Sequence, residues 1–181
     1  MPRERLTFHP DRVNGQNVYK FIHSDEDAFL DGGVDSHVYR FGDWVIHRFF
    51  GIPVSKIRAL QRITAEVADY ASSYSANIGL WGHVELRVEP IVKVFESAGY
   101  RQAFAIEPYV GGYRPKEKQN RRLDEFLADF SSDMRRRTGV KGIQVISPNT
   151  KLQKLNRRVA MFARITCTIT DICQYLDKFS G

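Results

Sequence analysis

Between Leu30 and Phe49 the chain reads LDGGVDSHVYRFGDWVIHRF, and this run carries its densest set of chemistry-bearing positions. Asp31, Gly33 and Ser36 stand at the three glycine positions of a G-x-G-x-x-G-x-V loop, closed by Val38. Glycines in such a loop let the backbone approach nucleotide phosphates with no Cβ in the way. Gly33, Ser36 and Val38 are therefore candidate nucleotide-binding residues, although two of the three glycines are missing. At the end of the next apolar run, Trp44-Val45-Ile46-His47 places an imidazole where a V-A-I-K pattern has its phosphate-pairing lysine. Glu66 follows His47 by 19 residues, beside the apolar face of the next helical stretch. A Glu66–His47 pair would be charged only at low pH. As an ordinary surface carboxylate, Glu66 would need no such partner.

The other titratable side chains form no recognisable catalytic set. His9, His23, His37 and His83 show no spacing that suggests a metal site or a serine triad. Asp124 and Asp129 are weak candidates for activating an acceptor hydroxyl. Cys167 and Cys173 lack the further ligands of a zinc site, and they read as reduced thiols, with a disulfide as the alternative.

Charge is distributed unevenly. Residues 1–113 hold 12 Lys/Arg against 14 Asp/Glu, whereas residues 114–158 hold 13 against 5. The basic stretch contains Arg114, Lys116, Lys118, Arg121 and Arg122, then Arg135, Arg136 and Arg137, then Lys151, Lys154, Arg157 and Arg158. One reading is an electrostatic footprint for a phosphate-bearing partner. The other is a solvated helix face, in which Arg135 to Arg137 complement the helix dipole in a last turn stopped by Gly139.

The elements that must position these residues follow from periodicity and turn chemistry. Val18 to Ile22 reads as a short strand or an arm lying on a sheet. A three-stranded meander begins at Ala28, with Gly42-Asp43 as a hairpin turn. Pro53 opens a helix whose Leu60, Ile63, Val67, Tyr70 and Tyr74 form one apolar face. Residues 75–88 connect that helix back to the sheet and include a short strand near Val84–Val88. Strands over 90–96 and 101–109 end in Glu107-Pro108-Tyr109-Val110-Gly111-Gly112-Tyr113. Leu123, Phe126, Leu127, Phe130 and Met134 mark a further helix. A strand near 150–153, a basic turn, a strand from Val159 to about Thr170 and a short C-terminal helix complete the chain. The expected class is α+β: an antiparallel five-stranded sheet with one long helix, then a helix and a β-hairpin.

This order, with the 31–47 motif, resembles the small lobe and the beginning of the large lobe of the protein kinase and aminoglycoside phosphotransferase superfamily. It is most similar to divergent bacterial kinase-like proteins. The resemblance covers about residues 28–173 and implies a kinase-like small lobe over 28–113, after an arm of residues 1–27, and a truncated second lobe over 114–181. It implies that Glu107 and Tyr109 lie at a hinge whose backbone faces an adenine. It also implies that Asn149 and Asp171 fall at the metal-binding positions, so that ATP and Mg²⁺ are possible ligands. Val145 stands where the catalytic aspartate would be. Phosphoryl transfer depends on positioning and charge neutralisation, so loss of the lysine and the base removes several contributions together.

The function expected is a pseudokinase-type binding module with a protein partner, for which Trp81, Tyr109 and Tyr113 are candidate anchors. The alternatives are a nucleic-acid-binding protein using residues 114–158, with Tyr113 or Phe179 stacking on bases, and an active small-molecule phosphotransferase. No apolar run is long enough to span a bilayer and the first residues lack a secretory signal, so the expectation is a cytoplasmic protein without a membrane partner.

Overall fold

The fold is described from a computed structural model, which defines residues 7–77, 82–112, 121–144, 150–155, 158–163 and 169–177. Trp81, Tyr113, Arg114, Lys116, Lys118, Val145, Asn149, Arg157, Cys167 and Phe179, all singled out above, lie outside these residues. The elements in chain order are α1 (Val18–Ser24), β1 (Phe29–Gly32), β2 (Ser36–Phe41), β3 (Trp44–Phe49), α2 (Val54–Ala71), β4 (Ser75–Asn77), β5 (His83–Arg87), β6 (Lys93–Glu96), β7 (Ala103–Pro108), α3 (Arg121–Thr138), β8 (Thr150–Leu155), β9 (Arg158–Ala163) and α4 (Ile169–Asp177). The protein is α+β, with a five-stranded antiparallel sheet, a second four-stranded sheet and four α-helices among the described residues. It divides into two compact units, Met1–Gln61 with Ile91–Tyr109, and Arg62–Pro90 with Val110–Gly181.

The first unit is built on a sheet of order β1-β2-β3-β7-β6. The β2–β3 hairpin forms because Gly42, at φ 60°, supplies the left-handed residue that a two-residue connection needs between the paired Phe41 and Trp44. Alternation along the strands then sorts side chains to two faces. One face carries Tyr39, Ile46, Phe104 and Ile106 and is covered by Val13, Val18, Phe21, Ile22 and Ala28. The other carries Ala103 and Ala105 and packs against Ile57 and Ile91, with Phe49, Leu60 and Val94 at the margin.

The segment expected as a strand at Val18 to Ile22 is the helix α1. Its buried residues, Val18, Phe21 and Ile22, recur at a helical interval rather than alternating, so only a helix can turn all three to the sheet. The preceding loop is pinned by Asn17, whose Oδ1 accepts from Asn14 N–H at 2.8 Å and whose Nδ2 donates to Arg12 O at 2.7 Å. Residues 8–28 thus supply part of the core.

Gly15 shows how closely this segment docks. A Cβ there would lie 2.0 Å from the carbonyl oxygen of Glu96, and Ala98 N–H donates to Gly15 O at 2.8 Å. Backbone rather than a flexible side chain would have to move. Gly15→Ala is therefore expected to destabilise the protein by about 1–3 kcal/mol, the usual cost of overpacking, read as a lower urea midpoint with unchanged slope.

The second unit holds a sheet of order β4-β5-β9-β8, in which β5 and β9 are parallel. Residues 75–88 were expected to connect a helix back to the first sheet, with one short strand near Val84–Val88. They instead contribute two strands to this separate sheet, because β5 pairs with β9. That pairing joins residues about 75 positions apart (Val84 with Val159, Leu86 with Met161), a separation at which local pattern carries no signal. The helix and β-hairpin expected beyond residue 114 are α3 and β8–β9. Leu123, Phe126, Leu127, Phe130 and Met134 are all buried, and Gly139, at φ 67°, ends α3 by donating to Arg135 O at 2.7 Å. Among the described residues the last strand, β9, reaches Ala163, and Thr170, near which it was expected to end, lies in α4. The short helix expected at the C-terminal end is α4, whose buried Ile172 and Tyr175 stand at a helical interval.

Candidate functional site

Strand register gathers several of the candidate residues on one face of the first sheet. Val38 stands directly opposite His47, and His47 opposite Ala105, which in turn faces Val94. The next row is Arg40, Val45 and Glu107. Tyr109 follows on the same side, two residues beyond Glu107, with the Arg40 guanidinium 3.7 Å from its ring centroid. Val38, His47, Glu107 and Tyr109, chosen from separate parts of the sequence, therefore form one surface. Arg40 and Val45 belong to it too and were missed. The alternation of β2 and β3 would have placed them on the same face, but only the register puts them beside Glu107 and Tyr109.

At the centre of this face His47 is 3% exposed, and its Nε2 lies 2.7 Å from Glu107 Oε1. An ionised carboxylate can only accept, so the proton of this bond belongs on Nε2. Glu107 sits diagonally across the β3–β7 ladder from His47, close enough for a side-chain bond within one sheet. The imidazole also stacks near Phe49, with centroids 6.0 Å apart and planes at 19°. A ring held this way is a fixed hydrogen-bonding group with no reach, unlike the flexible stem of a lysine. The carboxylate on His47 is thus its sheet neighbour. Glu66 instead takes a hydrogen bond from Tyr175.

The hinge candidates are similarly committed. Pro108 has no N–H to offer a ligand, and Tyr109 N–H donates to Asp43 O at 2.8 Å. Arg40 Nε donates to Gly42 O at 3.0 Å, so the cation stacked on Tyr109 is itself held by the β2–β3 turn. At the other end of the face, Gly33 N–H donates to Ser36 O at 2.8 Å and closes the turn between β1 and β2. Space around Gly33 is open, with nothing within 4 Å of a Cβ built there. The folded chain by itself does not require glycine at this position.

The remaining described candidates belong to the second unit. Asp171 lies in the first turn of α4, and its expected companion Asn149 is outside the described residues. Among the described residues no three His, Cys, Asp or Glu side chains are grouped to hold a metal ion. Much of the arginine run has local partners. Arg135 Nε donates to Ile143 O at 2.9 Å, Arg136 pairs with Asp133, and Arg137 lies 4.0 Å from Asp69 and over the Tyr70 ring. Arg121 pairs with Glu125 one helical turn on at 3.2 Å, whereas Arg122 is exposed. Lys151, Lys154 and Arg158 lie on the β8–β9 hairpin. Among the described residues no helix is long and apolar enough to cross a membrane.

The arginine run meets an aromatic cluster in the second unit that the sequence pattern did not single out as a group. Tyr70 stacks on Phe130 at 5.7 Å and donates its hydroxyl to Asp133 Oδ2 at 2.8 Å, while Tyr74 contacts Phe126 and Phe130. Hydrogen bonds from Arg136 and Tyr70 lower the pKa of Asp133. Burial, and then the Asp133 bond, raises that of Tyr70, and burial raises those of Tyr74 and Tyr175. A phenol whose pKa is raised on folding contributes stability that is intact below its unfolded value, about 10, and lost as pH climbs through the folded value. The melting temperature is thus expected to fall from about pH 10 upward, and Tyr70→Phe should flatten part of that decline. An unchanged alkaline limb in the variant would exclude Tyr70 as a contributor.

No protein-family model matches this chain, and no match is found among curated proteins.

Proposed function

We propose that this chain is a non-catalytic binding module whose first unit has the strand order of a kinase-type small lobe without its phosphotransfer chemistry. One observation carries the reading: the side chain at the lysine position, His47, is buried and bonded to Glu107 within its own sheet. A group so engaged neither reaches nor neutralises a phosphate, and neutralisation is a main component of phosphoryl-transfer catalysis. Further support comes from three strands, a helix and two returning strands that close a single antiparallel sheet in the order β1-β2-β3-β7-β6. The backbone donors at Pro108 and Tyr109, where a purine would be read, are absent or used. Nucleotide binding at this face is accordingly weak or nil.

The test is incubation of the purified chain with Mg²⁺ and γ-labelled ATP, alongside thermal-shift titration with the same nucleotide. No label transfer above a protein-free blank and a flat melting curve are expected. Transfer that His47→Ala abolishes would overturn the proposal, as would a Mg²⁺-dependent rise in melting temperature lost in Asp171→Ala. The nucleic-acid reading of residues 114–158 is less well supported, because Arg121, Arg135, Arg136 and Arg137 already have partners in the fold. An active small-molecule phosphotransferase would need an acceptor-activating base, for which Asp124 and Asp129, both on exposed positions of α3, are only weak candidates.

A further inference from the structure

The two edges of the first sheet are treated differently. Beside β6, the chain's own loop is tied on: Lys93 Nζ donates to Pro10 O at 3.0 Å and to Asp11 O at 3.3 Å, and Ala98 N–H to Gly15 O at 2.8 Å. Beside β1 no strand pairs with the outer side among the described residues. All four residues of β1 are exposed, and the apolar side chains here are among the most exposed in the protein: Phe29 at 51%, Leu30 at 46% and Val34 at 94%. Gly32 helps to build this surface. A Cβ there would come within 2.8 Å of His37 and 2.9 Å of Phe29, so glycine lets both rings lie over the backbone.

The same edge is acidic. Asp25, Asp27, Asp31 and Asp35 are exposed within eleven positions, and none has an ion-pair partner among the described residues. The pairing with β2 slips between Phe29 and Asp31, leaving Leu30 as the extra residue of a bulge. Short length, charge and a bulge are the devices by which sheets protect an edge from indiscriminate pairing. Here every charge has the same sign, which makes the protection selective. Two copies of this edge would set carboxylate beside carboxylate, whereas a strand bearing lysine or arginine would meet complementary charge.

We propose that the open edge of β1 is a docking strand for an extended cationic segment of a partner protein, added to the sheet by backbone pairing. Backbone groups on the outer side of β1 supply register, although Gly32 N–H already donates to Asp31 Oδ1 at 2.8 Å; Phe29, Leu30 and Val34 supply apolar contact, and the aspartates select a basic sequence. This names a partner class for the binding module. Its readout is peptide binding, so its failure would leave the ATP experiments untouched.

The test uses the intact chain, ¹⁵N-labelled, with a short alternating lysine–valine peptide. A proline-interrupted lysine–valine peptide and an alternating glutamate–valine peptide serve as controls. Amide shifts confined to residues 29–35, with binding weakened at least about tenfold by Asp31→Lys with Asp35→Lys, are expected for this charge-selected mode. Both positions are exposed, so the variant should fold; Leu30→Ser, which removes an exposed apolar contact, is the second variant and should also weaken binding. No binding would overturn the proposal, as would binding indifferent to the aspartate reversals. Equal binding of the proline-interrupted peptide would reduce the effect to simple ion attraction and also overturn it. Concentration-dependent dimerisation through the same amides, without peptide, would make a second copy the occupant and refute the cationic partner.

Discussion

Phe104→Ala is expected to destabilise the protein by about 3–5 kcal/mol, the range for deleting a fully buried aromatic side chain. Phe104 is 0% exposed on β7, an inner strand of the first sheet. Its ring stacks on Phe95 at 5.5 Å and meets Tyr19 of α1 edge-on at 5.7 Å. Tyr19 in turn donates its hydroxyl to Gln102 Oε1 at 2.6 Å, and the same oxygen accepts from Arg48 Nε at 2.9 Å. The cavity would therefore open between the sheet and the N-terminal helix, where neighbours fixed by hydrogen bonds have little freedom to collapse into it. Urea unfolding of the variant checks the magnitude. Hydrogen exchange checks the location: amides of α1 should lose protection before those of α3, which lies in the other unit. A loss below about 1 kcal/mol would mean that α1 is not integral to this core.

Glu107→Leu should cost about 1.5–3 kcal/mol, because it leaves the buried His47 ring without its charged acceptor. A carboxylate that is only partly exposed, facing a nearly inaccessible ring, is not a surface ion pair of negligible worth. The informative companion is the double variant His47→Val with Glu107→Leu. Removing both polar partners from an apolar surface that includes Val38, Val45 and Ala105 should recover much of the loss, since the stranded donor rather than the missing bond carries most of the penalty. Equilibrium unfolding of wild type, both single variants and the double variant closes the cycle. A coupling near zero would show that His47 and Glu107 do not act as a pair, and would remove the main support for reading His47 as structural rather than phosphate-binding.

Local pattern carried the strongly periodic elements. The β2–β3 hairpin was legible because Gly-Asp separates two aromatic and β-branched runs, and α2 and α3 because their apolar residues recur every three or four positions. α1 was misread because five residues, VYKFI, suit either period until something shows which of them are buried. β4 and β5 were legible at most as fragments, since strands gain meaning from partners and theirs lie far along the chain. The candidate residues divide the same way. His47, Glu107 and Tyr109 were found by type and position, but the bond between the first two depends on a β3–β7 register that no local motif encodes. Arg40 was not singled out, and its place over Tyr109 exists only once β2, β3 and β7 are side by side.

By itself, then, the amino-acid order determined which segments are helical or extended wherever burial has a clean period, and where the glycine turns fall. Those are consequences of near-neighbour sterics and solvation, which act over a few residues. The tertiary structure alone decided that Glu107 rather than Glu66 engages His47, that Arg137 lies over the Tyr70 ring, and that one sheet edge is covered while no described strand pairs beyond β1 at the acidic edge. Each depends on pairing between distant segments, where the loss of chain entropy is offset only when a whole sheet or core forms together.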